Sequence, residues 1–170
     1  YAPDIKQHHV LNHITGQEMN EKRNVLIESA RIARGKIASL ATFAPDSADA
    51  LVIPGGFGAA KNLSSYAFDG AKCTVNSDVV AAVKAIHAAG KPIGALCIAP
   101  VILAKVLGNV TLTIGQDQGT ADNLATMGAR HQPTMPGEIA IDRERKIVST
   151  PCYMLNSRVD QIAEGADNLI

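Results

Sequence analysis

KPIGALCIAPVI, residues 91–102, decides the fold. Ile93-Gly94-Ala95-Leu96 is an apolar run of strand length, and it ends at Cys97. Helix-like text, IAPVILAKVL, begins almost at once, with Pro100 in the opening turn, where a missing N–H costs little. A strand, a thiol and a helix thus follow one another with no connecting loop. Several unpaired backbone N–H groups point outward at such a join, and the helix dipole adds partial positive charge. That setting suits a thiolate, and a sharp turn at the top of a sheet exposes it. A cysteine there can equally be a small hydrophobe filling space under the turn.

Outward from this unit the chain alternates. The segment NEKRNVLIESARIARG predicts a helix capped by Asn20 or Asn24, with Leu26, Ala30 and Ala33 at helical spacing, Glu28 three residues before Arg31, and Gly35 as its stop. ALVIP, 50–54, is a short buried strand leading into the glycine-rich GGFGAAKN. SDVVAAVKAIHAAG is a helix capped by Asn76 or Ser77, with Val79, Val83 and Ile86 on one face and Gly90 as terminator. NVTLTIG predicts another strand and GTADNLATMG a short helix. EIAIDRERKIVST reads as two strands around the charged turn 142–146, and NSRVDQIAEGADNLI closes with a helix whose apolar positions are Val159, Ile162, Ala166 and Leu169. Strands alternating with helices predict a doubly wound, mostly parallel sheet covered on both faces. At 170 residues, with no linker or repeat, residues 1–170 are expected to form a single domain.

Hydrophobic residues make up 46% of the chain and charged ones 19%, as a packed fold requires. Sixteen basic and sixteen acidic residues cancel, so charge gives no case for nucleic acid or an anionic membrane. No apolar run reaches the ~18 residues of a membrane span. Cys73, Cys97 and Cys152 lack a CxxC pairing, which favours a reducing compartment, and the cytosol is the default expectation.

In open sheets of this kind ligands sit beyond the carboxyl ends of the strands. Those ends carry Gly55-Gly56, Cys97, Gly115-Gln116 and Pro151-Cys152-Tyr153. Two glycines after a buried strand can present an N–H into the cleft. Together with the N–H of Ile98 it would make an oxyanion hole for a carbon adduct on sulfur. No GKS or GKT follows, so this is not a phosphate loop, and no GxGxxG appears either; no cofactor is expected. Cys152 is a further site-lining candidate, while Cys73 reads as structural. His8, His9 and His13 lie in the extended-looking HHVLNHIT, where His9 and His13 would stand about 13 Å apart, too far for one metal ion. His87 lies within a helix, and His131 falls in a loop after Gly128. Glu28 and Asn62 mark polar regions that could line the site, although Glu28 is well placed to pair with Arg31. No general base can be assigned.

Taken together, VIPGGFGAAKNLSS, GKPIGALCIAPVILAKVL, TLTIGQD, KIVSTPCYM and RNVLIESARIARG resemble the ElbB family, in order and over nearly the whole chain. That family belongs to the class I glutamine amidotransferase-like superfamily, with the PfpI proteases and the parkinsonism-associated deglycase. The resemblance implies a flavodoxin-like fold, a homodimer, and Cys97 as nucleophile. It also implies glyoxalase activity without glutathione, in which a small 2-oxoaldehyde such as glyoxal or methylglyoxal becomes a 2-hydroxy acid.

Two departures bear on that expectation. Superfamily relatives with a Cys-His pair carry histidine just after the strand that here reads TLTIG; this chain has Gly115-Gln116-Asp117. The glutamate that relatives bring to the cysteine comes from a first strand–loop–helix unit that would precede Tyr1. The natural protein is therefore expected to be longer by roughly 40 residues at its amino end. Against the enzyme stand two other readings: a non-catalytic scaffold that binds a metabolite or senses oxidants through Cys97, and a glutamine amidotransferase.

Overall fold

A computed structural model describes all 170 residues, Tyr1–Ile170, which form two compact units, Tyr1–Ala44 and Pro45–Ile170. In the first unit, β1 (Val10–Leu11) and β2 (Glu18–Met19) make an antiparallel hairpin with Val10 opposite Met19. HHVLNHIT is therefore not extended throughout. The Asn12 side chain accepts the N–H groups of Ile14 (2.9 Å) and Thr15 (3.3 Å) and turns the chain before His13. Helix α1 (Val25–Ile32) is capped by Asn24, which accepts the Ile27 N–H at 3.0 Å; Glu28 pairs with Arg31 at 2.9 Å. Near the start of the chain, Ala2 makes an isolated parallel bridge to Ser39.

The second unit is built on a four-stranded sheet. Its strands are β3 (Leu51–Ile53), β4 (Ile93–Leu96), β7 (Ala140–Asp142) and β8 (Ile147–Thr150), in the order β3-β4-β8-β7. β3, β4 and β8 are parallel, and β7 is an antiparallel edge. Between them run α2 (Tyr66–Asp69), α3 (Ser77–Ala88), α4 (Pro100–Leu107) and α5 (Gln118–Thr126), while α6 (Val159–Leu169) ends the chain. A separate parallel pair, β5 (Thr111–Leu112) with β6 (Arg130–His131), completes the unit. This is the expected flavodoxin-like arrangement.

Each helix is held by the feature its sequence supplies. Asn76 accepts the N–H groups of Asp78 (3.0 Å) and Val79 (3.3 Å) to start α3, whose Val79, Val83 and Ile86 are buried. Replacing this cap by alanine is expected to cost about 1 kcal/mol and lower the melting temperature by about 2–4 °C, read by calorimetry. In α4 the first five residues, Pro100–Ala104, are all buried, as a helix apolar on every side must be. Leu169 of α6 lies over Gly94 in β4; a Cβ there would meet Leu169 Cδ2 at 2.5 Å, so the glycine gives the leucine its place on the strand.

Two elements differ from expectation. NVTLTIG pairs as a strand only at Thr111–Leu112, although Val110, Leu112, Thr113 and Ile114 are all buried. Side chains replace the ladder there: Asp142 Oδ2 accepts the Thr111 N–H at 2.7 Å and Ser149 Oγ the Thr113 N–H at 2.9 Å. In α6 the buried positions are Gly165 and Leu169, and Val159 is 74% exposed. Gly165 sets this approach, since a Cβ there would stand 2.5 Å from Thr150 Oγ1.

Candidate active site

Leu96 ends β4, and Cys97 takes φ +60°, a left-handed conformation that residues other than glycine seldom adopt. Its N–H donates to the Thr150 carbonyl of β8 at 2.9 Å, and the Ala99 N–H donates back to Leu96 at 3.0 Å. Strand passes into helix over three residues, with the thiol half-buried at the turn.

Gly55 is pressed against this turn. The register Ile53↔Ala95 carries Gly55 alongside Cys97. A Cβ on Gly55 would lie 2.5 Å from the Leu96 carbonyl oxygen, 2.6 Å from Cys97 Cβ and 3.0 Å from the Ile98 nitrogen. Gly56, at φ +81°, faces open space. Neither the Gly56 nor the Ile98 N–H donates to another group of the protein. The Ile98 N–H stands at the Cys97 turn and the Gly56 N–H one residue on from the glycine packed against it, so both are free to serve a ligand there. The glycine-rich segment after Gly56 winds into a π-helical turn, Ala59–Leu63, closed by the Ser64 hydroxyl donating to Ala59 at 2.9 Å. Asn62 sits half-buried in that turn.

The β8 end closes the other side. Pro151 and Cys152 are buried, and Cys152 has φ +44°. Burial pushes its thiol above the ordinary value; the Cys97 sulfur raises it further, and the Cys97 N–H partly offsets both. Gly115 (φ +87°) packs on the same loop, where a Cβ would meet Leu155 at 2.8 Å and Pro151 at 3.2 Å. Gln116 is exposed and donates to Met135 Sδ at 3.0 Å. Asp117 caps α5 by accepting the Thr120 N–H at 2.8 Å. That bond holds its carboxyl below the usual range. Gly55, Cys97, Ile98, Gly115 and Cys152 therefore gather at the carboxyl ends of the strands.

Glu28 is a partner of Arg31 in the first unit, with Arg23 at 3.9 Å. His131 lies on β6, not in a loop. Its Nε2 is buried without a hydrogen bond, and burial lowers its pKa, with the Gly115 carbonyl opposing. Only the alternation Ala129-Arg130-His131 could have marked this two-residue strand, and it is too short to read. No group of three His, Cys, Asp or Glu residues is disposed to hold a metal ion, and no helix is long and apolar enough to cross a membrane.

Cys73 is 1% exposed, and its thiol, like that of Cys152, is raised by burial. The fold favours both as neutral thiols. Their contribution is complete below the ordinary value of 9.0 and is lost as pH rises through the higher folded values, because the unfolded chain gives up those protons first. Melting temperature should therefore fall from about pH 8 to about pH 10, and less steeply for Cys73→Ala.

Residues 36–115 match the DJ-1/PfpI family. The human glutamine amidotransferase-like class 1 domain-containing protein 3, mitochondrial, is 46% identical along the whole chain, which spans 67% of that protein. The rat ES1 protein homolog, mitochondrial, is 44% identical, again along the whole chain and over 68% of its own length. Among solved structures, an isoprenoid biosynthesis protein with an amidotransferase-like domain from Ehrlichia chaffeensis is 34% identical. It covers 98% of this chain and 78% of its own, with a TM-score of 0.88. These relatives overturn the cytosolic expectation, since both curated ones are mitochondrial proteins. Unpaired cysteines report a reducing compartment and do not distinguish one from another.

Proposed function

The chain belongs to the DJ-1/PfpI family of class I glutamine amidotransferase-like proteins, and on that premise we propose that it is a cofactor-independent glyoxalase of ElbB type. Residues 1–170 are taken as one such domain, in keeping with relatives that align along the whole chain. The similarity to the Ehrlichia protein fits the ElbB assignment, and the mitochondrial relatives favour a mitochondrial setting.

In this reading the Cys97 thiolate adds to the aldehyde carbon of a small 2-oxoaldehyde. The resulting hemithioacetal carries its negative oxygen toward the N–H groups of Gly56 and Ile98. A proton then moves from the former aldehyde carbon to its neighbour, leaving a thioester on Cys97, and water releases the 2-hydroxy acid and the thiol. Neither electrons nor a group from a cofactor are required. The carrying observation is the strained φ of Cys97 with Gly55 packed against its turn.

The test is lactate formation from methylglyoxal without glutathione. Lactate should appear with the wild-type chain and not with Cys97→Ala; no lactate from either overturns the proposal. Glutamine should release no ammonia. The run Gly115-Gln116-Asp117 favours this outcome, because it offers no histidine where the resemblance places that of a triad. The protein is expected to act as a homodimer, measurable by light scattering.

A further inference from the structure

Two of the three thiols stand together. Leu96 and Thr150 are register partners in the parallel β4–β8 pair, about 5 Å apart, and the Cys97 N–H bonds the Thr150 carbonyl at 2.9 Å. Cys97 is one residue beyond its strand and Cys152 two residues beyond the other. Both adopt left-handed backbone, at φ +60° and +44°, so both turn sharply at the same end of adjacent strands. The Cys97 N–H and sulfur both act on the Cys152 thiol, so the two cysteines are direct neighbours, as a disulfide requires. Cys73 is buried elsewhere, among groups that include Lys105 and Asp69.

We propose that Cys97 and Cys152 are a hydroperoxide-reactive pair, in which Cys97 is oxidised and Cys152 resolves it to a reversible intramolecular disulfide. This rests on Cys97 being the reactive thiol, and not on which carbonyl compound it processes. In the first step the Cys97 thiolate attacks the terminal oxygen of a hydroperoxide. An S–O bond forms, the O–O bond breaks, and the alkoxide leaves and takes a proton as the alcohol. In the second, the Cys152 sulfur attacks the sulfenic sulfur. The S–S bond forms, the S–O bond breaks, and hydroxide leaves as water with the Cys152 proton. Two thiols are oxidised by two electrons and one hydroperoxide is reduced. A dithiol returns both to the reduced state.

The electrostatics order these steps. While Cys97 is anionic, its charge opposes ionisation of Cys152, so the buried thiol stays protonated and inert. Oxidation makes Cys97 a neutral sulfenic acid and removes that opposition. Burial, the larger cause, remains, and Cys152 is freed of the second one when its partner is oxidised. Burial of Cys152 is no obstacle, because its target is the adjacent residue and not a solute.

The test treats the reduced chain with about one equivalent of hydrogen peroxide, blocks free thiols, and maps cysteines by mass spectrometry without reduction. A Cys97–Cys152 linked peptide should dominate, and dithiothreitol should restore iodoacetamide labelling of Cys97. Cys152→Ser should instead drive Cys97 to sulfinic acid at least about tenfold faster than wild type, beyond rescue by dithiothreitol. Cys152→Gly, which relieves the positive φ, should repeat this result. Sulfinic acid at Cys97 at equal rates with and without Cys152 overturns the pair, as does a disulfide between two copies of Cys97. Peroxide leaving every thiol free also overturns it. If iodoacetamide still labels Cys97 rapidly in that case, only the pair falls; if it does not, the nucleophile falls too.

Discussion

Cys97→Ala is expected to lower methylglyoxal turnover by at least about a thousandfold, because removing a covalent nucleophile removes the pathway and not merely one contact. The fold should persist. The side chain is only half-buried, the turn is held by the backbone bond to Thr150, and alanine keeps the same Cβ against Gly55. Cys97→Gly separates chemistry from strain. It should be as inactive as Cys97→Ala but more stable than it by about 1–2 kcal/mol, since glycine adopts φ +60° without the steric cost. A strained residue that gains stability when replaced, and whose loss ends the reaction, is held there for chemistry. Equal turnover by all three chains would remove Cys97 from the mechanism.

Gly55→Ala should be the most damaging substitution outside the thiol itself. The new methyl group would meet the Leu96 carbonyl at 2.5 Å, Cys97 Cβ at 2.6 Å and the Ile98 nitrogen at 3.0 Å. None of these atoms belongs to a side chain that can swing away. Either the ends of β3 and β4 part or the elbow moves, at about 1–3 kcal/mol, which lowers the melting temperature by about 3–10 °C. The same shift moves the sulfur and the Ile98 N–H beside it. A displacement of about 1 Å at a reacting centre costs about a hundredfold in rate, so turnover should fall at least that far. Gly58→Ala is the control. It lies three residues on at φ −59°, with nothing near its Cβ position, and should be neutral.

Much of this was legible because the deciding signals are local. Asn76 and Gly90 bracket α3, Pro100 opens α4, and the apolar run before Cys97 is a strand buried on both faces. The gathering of Gly55, Cys97, Gly115 and Cys152 followed from topology, since parallel strands end on one edge. What stayed hidden depends on partners distant in sequence. Nothing in NVTLTIG announces that Asp142 and Ser149 will accept its N–H groups in place of a strand ladder. Gly165 reads as a weak helix residue until Thr150 is beneath it. The strain at Cys152 and the orphaned nitrogen of His131 are likewise properties of packing, with no sequence signature.

The most direct measurement is the rate of iodoacetamide labelling at each cysteine of the reduced chain near neutral pH, resolved by peptide mass spectrometry. Cys73 and Cys152 are buried thiols and serve as internal references. Cys97 is expected to label at least about tenfold faster than either. Labelling of Cys97 no faster than its two siblings would make it a packing residue and contradict its role as the nucleophile.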